Sequence, residues 1–132
     1  MKVSIITTCF NCETTIEKTI NSVLSQDYND IEYIMIDGGS NDKTLEIINK
    51  YRTKITTIVS ENDDGIYDGI NKGIKLSNGN IISLIHGNDV FKDDKIISKV
   101  ADFFKKNPTM EIMLSDLAFK KNMNSNHITR YY

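Results

Sequence analysis

Apolar residues recur along this chain at two spacings, and the alternation between them lays out its elements. Residues 2–8, Lys2-Val3-Ser4-Ile5-Ile6-Thr7-Thr8, are rich in β-branched side chains and too short for a helical period, which predicts a buried strand. Ile16, Ile20, Val23 and Leu24 then fall at i, i+4, i+7 and i+8, on one face of a helix over about residues 13–26. Thr14-x-x-Glu17 reads as a capping box at its start. A second strand, Ile31-Glu32-Tyr33-Ile34-Met35-Ile36, ends in the turn Asp37-Gly38-Gly39-Ser40, and Asp42 can cap a helix carrying Leu45, Ile48 and Tyr51. Lys54 to Ser60 reads as a third strand, and Glu61-Asn62-Asp63-Asp64-Gly65 as an acidic turn.

Ile66, Ile70 and Ile74 repeat every four residues on a third helix, and Gly65, Gly69 and Gly73 form a second face without side chains. Glycine inside a helix costs roughly 1 kcal/mol relative to alanine. Its repetition in register points either to a closely approaching ligand or backbone, or to tight packing of helix on sheet. Asn78-Gly79 turns into a fourth strand over 80–85. Asp93 or Asp94 starts a fourth helix with Ile96, Ile97, Val100, Phe103 and Phe104 facing inward, and Pro108 stands beyond its end. Met110 to Leu114 reads as a fifth strand. After Asp116 the pattern fades, through an extended Leu117-Ala118-Phe119 and a polar loop over 120–126, to Thr129-Arg130-Tyr131-Tyr132 with no closing signal.

The order βαβαβαβαβ predicts an α/β fold, a mainly parallel sheet with helices on both faces and right-handed crossovers. With 132 residues, no linker and no internal repeat, residues 1–132 read as a single domain. The 39% apolar and 26% charged content suffices for a core and a soluble surface. Sixteen basic against eighteen acidic residues leave a net charge of −2, so there is no general attraction to nucleic acid or to an anionic membrane. No apolar run approaches the roughly 20 residues of a membrane span. The N-terminus runs directly into a strand without a leader pattern, so the expected compartment is the cytoplasm. Cys9 and Cys12 form a Cys-x-x-Cys spacing, but a redox pair lacks other support, and in a reducing compartment they read as small residues lining a turn. His86 and His127 are not spaced to complete a zinc site with them.

Chemistry concentrates after the strands, in Thr7–Asn11, Asp37–Ser40, Glu61–Asp68 and His86–Asp89. In a parallel sheet these turns open on one edge, where ligands of open α/β folds bind, and Asp37 and Asp89 should share it. Neither a G-x-G-x-x-G nor a G-x-x-x-x-G-K-S/T fingerprint is present. A bound phosphate would therefore rely on a cation, a helix N-terminus or a lysine such as Lys72. Each candidate also has a plain structural reading: Asp37 as a helix cap, Asp63 and Asp64 as a solvated turn, His86 as a local hydrogen-bonding residue.

Four segments in order resemble family 2 glycosyltransferases of the GT-A fold. Val3-Ser4-Ile5-Ile6-Thr7-Thr8-Cys9-Phe10-Asn11 is similar to the family's opening, and Ser22 to Tyr28 to the end of its first helix. Ile36-Asp37-Gly38-Gly39-Ser40-Asn41-Asp42-Lys43-Thr44 resembles its D-G-S-x-D-x-T turn. Ser60 to Gly73, with Gly65-Ile66-Tyr67-Asp68-Gly69-Ile70-Asn71-Lys72-Gly73, is similar to its G-I-Y-D-A-x-N-K-G segment, and Asn88-Asp89 stands where it has a D-x-D or D-D metal motif.

The resemblance implies a Rossmann-type three-layer sandwich, truncated at the C-terminus relative to the family. It also implies an inverting, metal-dependent transfer from a nucleotide-diphosphate sugar to an acceptor hydroxyl, as in bacterial polysaccharide synthesis. Thr8 and Phe10 would lie beside the nucleobase, Asp37 would bond the base edge from a turn tip, and Asp68, Asn71 and Lys72 would lie near the ribose or diphosphate. Asn88 could bond a ribose, and Asp89 would coordinate Mn²⁺ or Mg²⁺. Asn88, neutral where many members carry a carboxylate, would weaken the cation site. Asp116 resembles the acceptor-side strand, but no residue matches the family's catalytic base. The implied partners are the donor, a saccharide or lipid-linked acceptor, and a second copy covering apolar surface, with room left for peripheral membrane association. The alternative is a nucleotide-sugar-binding module that transfers nothing.

Overall fold

The computed structural model describes residues 1–120 and 128–131. The elements run β1 (Val3–Cys9), α1 (Ile16–Leu24), β2 (Ile31–Asp37), α2 (Thr44–Lys50), β3 (Thr57–Ser60), α3 (Ile66–Leu76), β4 (Ile81–His86), α4 (Ile96–Lys106), β5 (Ala118–Lys120) and β6 (Ile128–Tyr131). The first four strands form a parallel sheet in the order β3-β2-β1-β4. All of β1 and nearly all of β2 are buried, which is why both read as near-continuous apolar runs.

Side chains alternate between the two faces of the sheet. Val3, Ile5, Cys9, Tyr33 and Met35 pack in one cluster with Ile16, Ile20 and Val23 of α1, Ile48 of α2, and Ile97 and Ala101 of α4. Ile6, Ile34 and Ile36 form a second cluster, under α3. The α3 glycines settle the choice left open by their spacing. A Cβ at Gly73 would run into Ile6 Cγ2, and one at Gly69 would lie 3.3 Å from Thr8 Cγ2, so this is close helix–sheet packing. The isoleucine repeat is on the other side, with Ile66 and Ile74 exposed.

Other expectations are corrected. Thr14 and Glu17 form no capping box: α1 starts at Ile16 with no side-chain cap, and Glu17 instead accepts from the Tyr51 hydroxyl (3.0 Å). β3 begins at Thr57 rather than Lys54. Phe103 is 36% exposed, set edge-on to Phe104. Met110 to Leu114 is not a strand. Leu114 is 92% exposed, and among the described residues no neighbouring strand takes up the segment's backbone groups. Ala118–Lys120 is a strand, but it pairs antiparallel with Ile128–Tyr131, which carried no sequence signal. Most of the expected polar loop over 120–126 lies outside the described residues. Among the described residues no helix is long and apolar enough to cross a membrane.

Candidate functional site

Parallel registers place the ends of the four strands side by side: Cys9 opposite Asp37, Thr8 opposite His86, and Asp37 opposite Ser60. The loops that follow enclose a cleft of about 410 Å³. Thr8 and Phe10 line it from β1, Gly38 from β2, Asp63 from the β3–α3 turn, and His86 and Asn88 from β4. All four segments singled out in the sequence therefore meet.

Side-chain bonds between loops hold this edge. Asn11, with φ of 51°, donates its N–H to Ser40 Oγ (2.8 Å) and accepts from the Asn41 N–H (3.0 Å). Asparagine tolerates this left-handed conformation better than most residues. The Cys12 N–H donates to Thr44 Oγ1 (2.7 Å). Asp42 accepts from the N–H groups of Thr44 and Glu13, but it does not cap α2 as expected: Lys43 takes the N-cap position without a side-chain bond, and Asp42 instead ties the first helical residue to the β1 loop. On the β4 side, the Thr15 hydroxyl lies 2.7 Å from Asn88 Oδ1 and 2.9 Å from the Gly87 carbonyl. Thr19, one helical turn on, donates to the Asp89 carbonyl (2.8 Å). α1 thus holds the turn that carries Asn88 and Asp89.

Asp37 is not a turn-tip carboxylate. It is fully buried, accepting from the Ser40 N–H (3.2 Å), the Ser40 hydroxyl and the Ser60 hydroxyl (2.6 Å), so it ties the β2 turn to the end of β3. The bond from Ser60 comes from 23 positions away, which no local pattern could show. Asp89 is the opposite case. Its side chain is exposed and makes no hydrogen bond or ion pair among the described residues.

Asp68, Asn71 and Lys72 sit on α3, outside the cleft lining. Lys72 pairs with Glu61 (3.0 Å) and Asp68 (3.1 Å). Glu61 first, then Asp68, hold its ammonium above the usual lysine range, and the Lys72 hydrogen bond holds Asp68 below the usual carboxylate range.

Among the lining residues that were not expected at the site, Asp63 and His86 bring polar side chains. Asp63, read as part of a solvated turn, is half-buried and faces two glycines: a Cβ would lie 2.8 Å from its Oδ2 at Gly38 and 3.3 Å at Gly69. The available signal was its place after a strand on the shared edge. His86 is a hydrogen-bonding residue as expected, but its partner is not local: Nδ1 lies 2.8 Å from Thr8 Oγ1 on the neighbouring β1, and the ring lines the cleft. Cys9 and Cys12 are free thiols in the cleft floor. Burial pushes both up in pKa, which keeps them as inert thiols rather than a redox pair.

Among the described residues no three His, Cys, Asp or Glu side chains converge as a metal cage. The donor set at the β4 turn is one open carboxylate, Asp89, beside the Asn88 amide. That fits a hard cation sharing its remaining positions between water and a ligand's phosphates, and does not fit a preformed structural site.

Comparison with known proteins agrees with this geometry. The chain is 35% identical over 99 residues to UDP-Glc:alpha-D-GlcNAc-diphosphoundecaprenol beta-1,3-glucosyltransferase WfaP of Escherichia coli, covering 74% of this chain and 39% of the relative. The S. aureus TarS 1–349 structure in complex with UDP-GlcNAc superposes with a TM-score of 0.73 at 27% identity, over 80% of this chain and 32% of that one. The Pyrobaculum calidifontis mannosyltransferase PcManGT, in complex with GDP-Man and Mn²⁺, shares the fold at a TM-score of 0.73 and 17% identity, over 78% of this chain and 32% of that one. This chain spans less than half the length of the curated relatives it matches. The sequence profile described as Glycosyl transferase family 2 matches residues 4–131, nearly all of the chain, and the chain belongs to that family, with a GT-A-type parallel sheet.

Proposed function

We propose that the cleft binds the nucleotide-diphosphate sugar donor of an inverting, metal-dependent glycosyltransferase acting on a saccharide or lipid-linked acceptor in polysaccharide synthesis. The observation that carries this reading is the convergence of four post-strand segments around one cleft at the C-terminal edge of the sheet. The exposed Phe10 offers a ring face to a nucleobase, with Thr8 beside it. Asp37 orders the Gly38-Gly39 turn beneath the base. Because its oxygens are already engaged, Asp63 is the better-placed acceptor for the base edge. Asn88 serves the ribose. Asp68, Asn71 and Lys72 stand outside the lining, and with Lys72 held by Glu61 and Asp68 they support the β3–α3 side of the site rather than touch the donor.

Asp89 would hold Mn²⁺ or Mg²⁺, which would supply positive charge to the diphosphate as the nucleotide leaves. With one protein carboxylate, cation and nucleotide should each strengthen the other's binding. Titration of UDP and GDP with and without Mn²⁺, on the native chain and Asp89→Ala, tests this. Metal-dependent affinity in the native chain, abolished in the variant, is expected, and equal affinity with and without metal defeats the donor-site assignment.

A second reading, a binding module without turnover, draws on one observation. Among the described cleft residues Asp63 is the lone carboxylate, and it faces Gly38 and Gly69. Lack of a positioned base costs roughly 10²–10⁴-fold in rate. Parallel donor-hydrolysis and transfer assays separate the two readings. Self-association through apolar surface, such as the exposed Ile82 and Leu84 of β4, is checked by light scattering.

A further inference from the structure

An anionic ligand needs hydrogen-bond donors or positive charge from its site, and the described lining of this cleft contains no lysine or arginine. Lys72, the nearby candidate on α3, is taken up by Glu61 and Asp68. Asp63, on the β3 side of the cleft, repels phosphate. Two lining side chains can present an N–H with no protein partner among the described residues: the Asn88 amide, whose Oδ1 is taken by Thr15 and which serves the ribose, and His86, which stands at the strand end itself. It is half-buried at the end of β4, Thr8 Oγ1 fixes its Nδ1 at 2.8 Å, and its Nε2 has no protein partner among the described residues.

Position along the edge points the same way. In the strand order β3-β2-β1-β4, Asp63 and Gly38 lie toward β3 and β2, while His86 ends β4 and Asn88 and Asp89 follow it. A nucleotide lying along this edge with its base near Gly38 brings its phosphates to β4. The geometry points to His86 as a specificity-determining residue whose Nε2–H donates to a phosphate oxygen of the bound nucleoside diphosphate. This inference rests on the donor-site reading above and deepens it.

Thr8 takes a defined part. A hydroxyl can donate or accept, whereas a neutral imidazole carries one N–H and one acceptor nitrogen. When the Thr8 hydroxyl donates to Nδ1, the ring proton sits on Nε2 and faces the ligand. The Thr8–His86 pair, adjacent across the β1–β4 register, thereby fixes the ring's orientation and accommodates the tautomer that turns Nε2–H to the ligand.

The test compares His86→Asn with His86→Gln. Asparagine can keep the short-range bond to Thr8 and removes the Nε2 donor, while glutamine extends its amide to about the Nε2 position. Affinities for uridine, UMP and UDP, and for guanosine, GMP and GDP, are measured by NMR titration with Mn²⁺ present, and thermal melting confirms that each variant is folded. Hydrogen bonds to charged groups are the stronger class, so His86→Asn should lose about tenfold in diphosphate affinity. Its nucleoside affinity should be unchanged, and His86→Gln should recover part of the loss. A His86→Asn variant that binds the diphosphate like the native chain overturns the inference, as does one that loses nucleoside and diphosphate equally, which marks a structural role. A native chain that binds neither UDP nor GDP overturns the donor-site reading itself, and this inference with it.

Discussion

Asp37 and Asp89 stand at the same edge of the same sheet, and the protein treats them in opposite ways. Asp37 lies at the end of the fully covered β2, at 0% exposure, and spends its oxygens on Ser40 and Ser60. Asp89 lies three residues past the end of β4, an edge strand of the sheet, where only its backbone is held, by Thr19 and the His86 carbonyl. A carboxylate saturated by protein donors builds the site, whereas one left open to solvent can serve a ligand. The difference follows from position in the sheet: a central strand has neighbours on both sides to supply donors, and an edge strand does not.

The strongest way to break this comparison is to remove each carboxylate in turn. Asp37→Ala leaves the Ser40 N–H and two hydroxyls without their acceptor, so the loss should be about 3 kcal/mol of unfolding free energy. Asp89→Ala should stay within about 0.5 kcal/mol of the native chain. Urea denaturation of both variants checks this, and equal stabilities would erase the distinction.

Glu32 sharpens the comparison from the opposite edge of the sheet, away from the candidate cleft, whose lining does not include it. It is 8% exposed and accepts from Ser4 Oγ (2.5 Å), the Asn78 N–H (2.7 Å) and the Asn78 amide (3.0 Å). Burial pushes its carboxyl up, but the bonds from Ser4 and Asn78 outweigh this and hold it below the usual range. A depressed folded pKa means that the ionised group stabilises the fold above the ordinary carboxylate range, and that this stability is lost as pH falls through the folded value. Glu32→Gln should cost about 1–2 kcal/mol at neutral pH. Between neutral pH and about pH 3 it should flatten the acid side of the stability profile. An unchanged acid slope would show that Glu32 takes no part.

The smallest effect is expected on α3. Lys72→Ala removes two salt bridges at the rim of the molecule, half-buried at the lysine and open to solvent at Glu61, and such solvent-screened pairs contribute little. Because Lys72 does not line the cleft, nucleotide affinity should change by less than about twofold. A larger loss in calorimetric titration would mean that the lysine leaves Glu61 and Asp68 to meet the ligand.

The parts of this picture legible in the sequence were those with local signals. β1, β2 and β4 announced themselves as runs of β-formers, and the turns after them carried the motifs that meet in the cleft. What stayed hidden had the same local pattern under either outcome. Ile66, Ile70 and Ile74 repeat every four residues just as Gly65, Gly69 and Gly73 do, so periodicity predicts a helix without saying which row meets the sheet. Ile6 decides, because it fills the space beside Gly73. Met110, Ile112 and Leu114 alternate like a strand, but a strand exists only against a partner. Thr14-x-x-Glu17 has the capping spacing, yet Glu17 is engaged by Tyr51, and the hydroxyl at the helix start is that of Thr15, turned toward the β4 loop.

By itself, the sequence determined the alternation of strand and helix, and through it a parallel sheet whose loops gather on one edge. Strand and helix periods are properties of near neighbours along the chain, and right-handed crossovers leave few ways to assemble them. It also determined which chemical groups stand at that edge. Only the tertiary structure decided which of them are available. Asp37 is closed by Ser60 across a strand pair, Lys72 by Glu61 from the turn before its helix, and Asp63 is admitted to the cleft by the bare backbone of Gly38 and Gly69. Availability is settled by what packs alongside, and for these residues the neighbours come from elsewhere in the chain.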